Sequence, residues 1–517
     1  MRPAAVVAPL FGPWAHRSLF GRRWPGPGRP ASPAATASII SAAVVAALAI
    51  PLDRAGIGWA VAAIAGVVAL IVARAWPAKP GPTAPEPLVT WRPRTLGPIR
   101  FLWSAATVAL LTVGTFRAAG WLFLLCLATA LFTGILAVAG GRSARGMTLA
   151  VILAPFAGLR AQLWLTRSLT RQQQGGGRSR LAATVVVSLA LLIVFGSLFA
   201  SADAAFARIV TSVVPDIGAA TVTRWIFVFA VATFALGGAA FLRAAPPDLP
   251  ESSGTGRRVT RLEWAIPLSL LVLLFALFVG VQLTVLFGGA RHVLAEGLTY
   301  AEYARSGFWQ LLVVTGLTLP VLAGAARWAP RETRADRVLI RAVLGTLAVL
   351  TLVIEASALH RMDLYADTYG LTRLRVLVAL CELWLGVVFL LVLGAGVRLR
   401  AAWLPRTVVA VGVLALLGLA AANPDRLIAD HNVTRYEKTG KLDTSYLSQL
   451  SPDAVPALDR LDGSSRDCAL GPIALDMNVD PDDWRGWNLG RWQARDLLAK
   501  KPVTMNRGCL GSQPTTR

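Results

Sequence analysis

Apolar runs of 17 residues or so recur along most of the chain, separated by short polar loops. Eleven of them read as spanning segments, at roughly 35–52, 56–73, 101–116, 119–140, 181–200, 226–242, 265–288, 307–326, 342–358, 376–397 and 407–423. A bilayer core of about 30 Å is crossed by about 20 helical residues. The pattern therefore predicts an all-α polytopic membrane protein. One more apolar stretch, 146–168, is interrupted by Pro155 and Arg160 and flanked by Arg142, Arg145 and Arg167. Those charges suit a helix lying in the interface better than a span. Were it a span, every later orientation would invert.

The polar pieces divide the chain further. Residues 1–34 (GRRWPGPGRPASP) form a basic cytoplasmic arm, expected to be disordered and less suited to a cleaved leader. A four-helix part, 35–140, carries the Pro-rich linker 74–100, which cannot be helical throughout. An interfacial segment and basic loop, 141–180, leads to a seven-helix core, 181–423. Residues 424–517 change character to a small polar, mostly helical domain.

Composition narrows the class. Only 15% of the 517 residues are charged and 55% are hydrophobic, whereas a soluble chain carries about a quarter charged residues. A conventional soluble enzyme is thereby excluded. The 51 Lys and Arg against 28 Asp and Glu give a net charge of +23, which raises the question of nucleic acid. These cations are scattered through short loops rather than gathered on one surface, so no nucleic-acid partner is expected.

Their distribution instead sets the orientation. With the N-terminus inside, the cytoplasmic pieces hold 29 Lys and Arg, the outer loops 9 and the tail 13. This bias predicts an N-in, C-out protein of the plasma membrane. The tail is neutral, with 13 acids against its 13 bases, so the excess lies in the membrane part, facing the anionic inner leaflet of the lipid bilayer.

The outer ends of the ninth and tenth segments carry the strongest candidate site. Glu355 lies near the end of VIEASALHRMDLYADTYGLTRLR, and Glu382 about six residues into VLVALCELWLGVVFLL. Sequential antiparallel helices would place both at comparable depth, where an ionisable residue faces a cavity or a partner. His360, Arg361, Asp363 and Asp367 lie between them. If the ninth helix continues to 367, Asp363 and Asp367 share a face and Glu355 shares it loosely, with Gly370 ending the run. Two readings compete: an ion-pair network that clips the helices together, or a site for a cation, an anionic substrate or a shared proton.

Other outer features carry less. Arg291, His292 and Glu296 form a second outer lip, followed by a capping box at Thr299 and Glu302. Tyr300, Tyr303 and Trp309 suit an aromatic belt. No histidines stand at i, i+4, and there is no phosphate loop, nucleophile elbow or zinc-protease motif, so neither metal nor cofactor is expected. Asp53 and Arg54 alone occupy the first outer loop, without the paired acids of lipid-linked sugar transferases.

In the tail, Ser451–Pro452–Asp453 reads as a helix start with Ala454, Val455, Ala457, Leu458 and Leu461 on an apolar stripe. Trp484, Trp487 and Trp492 suit a small core or an edge resting on the membrane. An oxidising compartment would allow a Cys468–Cys509 disulfide, which would help so small a domain hold together.

The stretches GLTYAEYARSGFWQL, ALHRMDLYADTYGLTRLR, AANPDRLIADHNV, GKLDTSYL and LSPDAVPALDRL, with LFASADAAFARIV upstream, resemble an uncharacterised actinobacterial membrane family. It is catalogued as a domain of unknown function, number 4173 or the neighbouring 4153, and the resemblance covers about residues 180–465. It implies a multi-pass membrane protein and assigns no activity. The leading expectation is a non-enzymatic, permease-like carrier of a small solute or lipid precursor. A sensor or envelope-assembly scaffold acting on an envelope protein through the tail is the second, and a membrane transferase the weakest.

Overall fold

The computed structural model describes residues 24, 26–27, 30–75, 97–141, 143–173, 184, 187–188, 191–192, 195–196, 198–199, 202–203, 218–247, 259–287, 308–399, 401–479 and 482–504. Among them every regular element is helical, and ten helices are long and apolar enough to cross a membrane. The membrane part comprises α1 (Pro33–Ala49), α2 (Ile57–Ala75), α3 (Pro98–Phe116), α4 (Gly120–Ala139), α5 (Ala144–Gln173), α6 (Ala219–Ala244), α7 (Arg261–Phe287), α8 (Phe308–Trp328), α9 (Arg334–Tyr369), α10 (Arg373–Arg398) and α11 (Leu404–Ala422). Most of the predicted segment 181–200, and the outer loop 288–307 with Arg291, His292, Glu296, Thr299 and Glu302, lie outside the described residues.

The helices pack as two groups. In one, α1 lies against α2 and α6, α3 against α4, and α5 against α6. In the other, α7, α8 and α10 surround α9 around a core that includes Leu347, Ile354 and Phe389. Helix α11 bridges them, touching α10 on one side and α3 and α4 on the other. Outward-facing Leu, Val and Phe cover the bundle, for example Leu124, Leu270, Leu277 and Leu390. Such a surface suits hydrocarbon and not water.

The tail defines one end of the bundle. Its turns bond the α1–α2 loop, the α3–α4 loop and the α9–α10 loop, and it continues from the end of α11. All four points are those assigned to a single side by the Lys and Arg count. At the opposite end, Arg406 donates to Gly141 O (3.1 Å) and Trp24 donates to Ala245 O (2.8 Å).

Helix α5 differs from the sequence expectation in one respect. Pro155 and Arg160 do not interrupt it; Pro155 is accommodated within 30 continuous helical residues. Its length and apolarity would suffice for a span. Yet both ends of α5 contact the end of the bundle opposite the tail. Met147 packs with Trp103 and Leu136, Leu165 packs with Ile39 and Ala240, and Ser168 shares a 2.6 Å hydrogen bond with Thr36.

The tail opens with α12 (Pro424–Thr439), directly after Asn423. It continues through α13 (Thr444–Leu447), a 3-10 turn (Pro452–Ala454), α14 (Val455–Leu458), α15 (Gly463–Val479) and α16 (Leu489–Lys500). The Ser451–Pro452–Asp453 start therefore opens two short turns instead of one longer helix, and the Ser451 side chain caps nothing. The apolar stripe is nonetheless buried: Ala454, Val455, Ala457, Leu458 and Leu461 join Ile428, Val433 and Leu470 in the tail's own core. Trp484 (60% exposed), Trp487 (39%) and Trp492 (55%) stand outside that core. Cys468 is disulfide-bonded while Cys126 and Cys381 are free; Cys509, its proposed partner, lies outside the described residues.

Candidate functional site

Helix α9 is set at its start by a capping box, in which Thr333 accepts from Asp336 N and Asp336 accepts from Thr333 N. Arg261 of α7 pairs with Asp336 and donates to Thr333 (2.7 Å), tying α7 to α9. Helix α9 then runs 36 residues and ends at Gly370, whose φ of 83° is ready for glycine and strained for other residues. Thr372 caps α10, its hydroxyl accepting from Arg375 N. This short turn folds α10 back antiparallel along α9.

The antiparallel pairing brings the two predicted glutamates together. Glu355 is 3% exposed and Glu382 2%. Glu355 fits because α10 offers Gly386, one turn beyond Glu382: a Cβ there would stand 2.8 Å from Glu355 Oε1. Both carboxyl oxygens of Glu355 and Oε2 of Glu382 lack a hydrogen-bond partner among the described residues. Cys381, a free thiol, adjoins them on α10. No Arg, Lys or His forms an ion pair with either glutamate among the described residues, so the expected clip by salt bridges does not form here.

The other four predicted residues disperse. Arg361 donates to Gln282 of α7 (2.5 Å), which also accepts from Ser357 (3.3 Å). Asp367 lies 3.9 Å from His431 of the tail, while His360 and Asp363 point to the surface. Asp363 and Asp367 are exposed and Glu355 is buried, so the loosely shared face does not hold. The reason is the position of α10, which covers the side of α9 bearing Glu355 and leaves the flank of its last turns open. Among the described residues no three His, Cys, Asp or Glu gather as a metal site.

A second polar centre, at the joint of tail and helix ends, was missed by the sequence reading. Asp425 is fully buried and accepts from Arg373 Nε (3.0 Å) and Nη2 (2.6 Å), Trp121 Nε1 (3.0 Å) and Ser451 N (2.8 Å). Burial opposes its ionisation, but the Arg373 guanidinium outweighs that and holds the carboxyl below its ordinary value. Asp453 accepts from Ala118 N (2.7 Å) and Ala119 N (3.2 Å) at the start of α4. Burial pushes its carboxyl up to about 6, against the pull of those two N–H groups.

Asp482 completes the joint, accepting from Arg491 (2.9 Å), Arg495 (2.8 Å) and Arg54 of the α1–α2 loop (3.2 Å). Arg491 also donates to Ala55 O (2.7 Å), and Asn488 donates to Gly114 O (2.7 Å). The only sequence signals were an acid directly after proline at Asp425 and at Asp453. Neither reveals a partner hundreds of residues away.

A long-helix bundle with a lipid-compatible surface, a buried acidic pair and a polar domain bonded to one end defines an integral, multi-pass membrane protein. The chain belongs to the family described as Domain of unknown function (DUF4153), which matches residues 105–461. Of the two neighbouring families that the sequence resembles, this is the second. No curated protein matches the chain, and no solved structure does.

Proposed function

We propose that the protein is a proton-coupled, permease-like carrier, not an enzyme, of a small solute or lipid precursor, with Glu355 and Glu382 as its proton site. The observation that carries this reading is two buried carboxyl groups on adjacent helices with no ion-pair partner among the described residues. Two negative charges in a low-dielectric bundle repel and lack compensating solvation. The pair therefore holds a proton between its oxygens while closed, and releases it when water enters. That exchange is what coupling requires. In this reading the N-terminus is cytoplasmic, α5 rests in the inner interface, and the tail stands outside the plasma membrane.

The test is complementation of a deletion strain with Glu355→Gln, Glu382→Gln and the double variant at acidic and alkaline external pH. Loss of function, or loss of its pH dependence, is expected in all three with normal protein level. A double variant that complements like wild type at every pH would refute the proton site. The scaffold reading is favoured by a different observation, the bonding of the tail to three separate interhelical loops. It expects the glutamate variants to be silent and substitutions on the tail's exposed face to be deleterious.

A further inference from the structure

We propose that the furrow between α3 and α11 is a binding site for an anionic glycerophospholipid, with an acyl chain between the helices and the phosphate at Arg117 and Arg426. Two hollows meet there. One, about 270 Å³, runs down the bundle between Ala109, Thr112 and Phe116 of α3 and Leu417 and Ala420 of α11. The other, about 370 Å³, opens at the tail end beside Asn423, Arg426 and Asp430. They share Arg117 and Ala421, which sets an apolar limb beside a charged mouth.

The limb is made by small side chains. Ala109, Ala420 and Ala421 leave space that larger residues would fill, and the Thr112 hydroxyl is spent on Ala109 O (2.7 Å), so it presents its methyl group. From Arg117 to Ala109 the furrow descends roughly 12 Å along α3 at 1.5 Å per residue. A soluble anion has no use for such a limb, whereas an acyl chain does.

At the mouth, Arg117 is fixed by donating to Ala420 O (2.5 Å) and Ala421 O (3.0 Å), neutral partners that leave its charge in place. Arg426 is half exposed and only loosely paired with Asp430 (3.7 Å), which also answers Arg460 (3.4 Å). Asp453, the other acid near Arg117, is engaged by Ala118 N and Ala119 N. The rim thus offers two guanidinium groups, with Asp430 the carboxylate at its surface and Asp453 buried behind Arg117, which suits a phosphodiester. Asn423, which borders the mouth, adds a second sign of a ligand: its Oδ1 is buried and has no hydrogen-bond partner among the described residues. It would accept from a headgroup hydroxyl, as in phosphatidylglycerol.

The test is native mass spectrometry of the full chain in neutral detergent, offered equal phosphatidylglycerol and phosphatidylcholine. Preferential retention of phosphatidylglycerol is expected, falling about five-fold in Arg426→Gln, the factor typical of one basic residue at a lipid surface. Thr112→Leu, which fills the limb, should reduce retention of the lipid, and Asp430→Asn, which removes the competing carboxylate, should raise it. The gain in the last variant keeps the test informative if the others fold poorly. Equal retention of both lipids, or retention indifferent to all three substitutions, would overturn the proposal. Displacement of phosphatidylglycerol by soluble glycerol 3-phosphate at equal concentration would overturn it too, since the site would then read phosphate without a chain.

Discussion

Replacing Asp425 by Asn perturbs the joint between tail and helices at its most buried point. The carboxylate accepts four hydrogen bonds, two from Arg373 on α10, one from Trp121 on α4 and one from Ser451 N in the tail. The amide keeps one acceptor oxygen, presents an N–H₂ to groups that are themselves donors, and leaves the guanidinium uncompensated. Breaking a buried pair costs about 3–5 kcal/mol. Arg373 is about a third exposed, and water there screens part of the loss, so the lower end, ~3 kcal/mol, is expected.

The assay is limited proteolysis of the purified full chain, with thermal unfolding alongside. Tail cleavage should accelerate about 100-fold if cutting follows opening of the joint, since ~1.4 kcal/mol is a factor of ten. The pH dependence has a definite sign. Because the folded carboxyl lies below its ordinary value of 3.8, its stabilisation is present above that pH and is lost as pH falls through the folded value. The Asp425 contribution should therefore be lost from wild type only in strong acid, and be missing from Asp425→Asn at neutral pH as well. Equal cleavage rates and equal unfolding midpoints for the two proteins would refute the joint as described.

Asp453 should show the opposite slope. Its carboxyl is raised by burial from 3.8 to about 6, so its contribution is full below 3.8 and lost as pH rises through about 6. Protease resistance of the tail should fall across that window in wild type and stay flat in Asp453→Asn, by the same cleavage assay. Alkaline phosphatase fused after residue 423 should be active and green fluorescent protein inserted within 170–178 fluorescent. Fluorescence after 423 would place the tail in the cytoplasm and invert the reading of the acidic pair.

Much of the helical layout was legible because apolar length is a local property. The end of α9 at Gly370 and the approach of Glu355 to Glu382 followed from a turn-forming glycine and two helices of matching depth. What could not be read was which side of each helix meets a neighbour. Glu355 and Asp363 differ by about 80° on the helix, yet α10 buries one and leaves the other exposed. The joint was hidden for a similar reason, since Arg54 and Asp482 or Gly114 and Asn488 meet only through the complete fold. The Ser451 turn misled because Ser-Pro-Asp marks where a helix can begin and carries no information on its length. The three tryptophans suit a core or an edge equally well by sequence, and aliphatic residues of α12, α14 and α15 fill the core instead.

The claim of a water-reachable proton site is tested most directly at Cys381, the free thiol beside Glu382. In intact cells carrying Cys126→Ser, a membrane-impermeant thiol reagent should label Cys381 at a finite rate that changes when a proton gradient is imposed. That rate should lose its response to the gradient in Glu355→Gln. No labelling of Cys381 with or without the gradient, while an exposed tail position such as Ser445→Cys reacts under the same conditions, would contradict the carrier account.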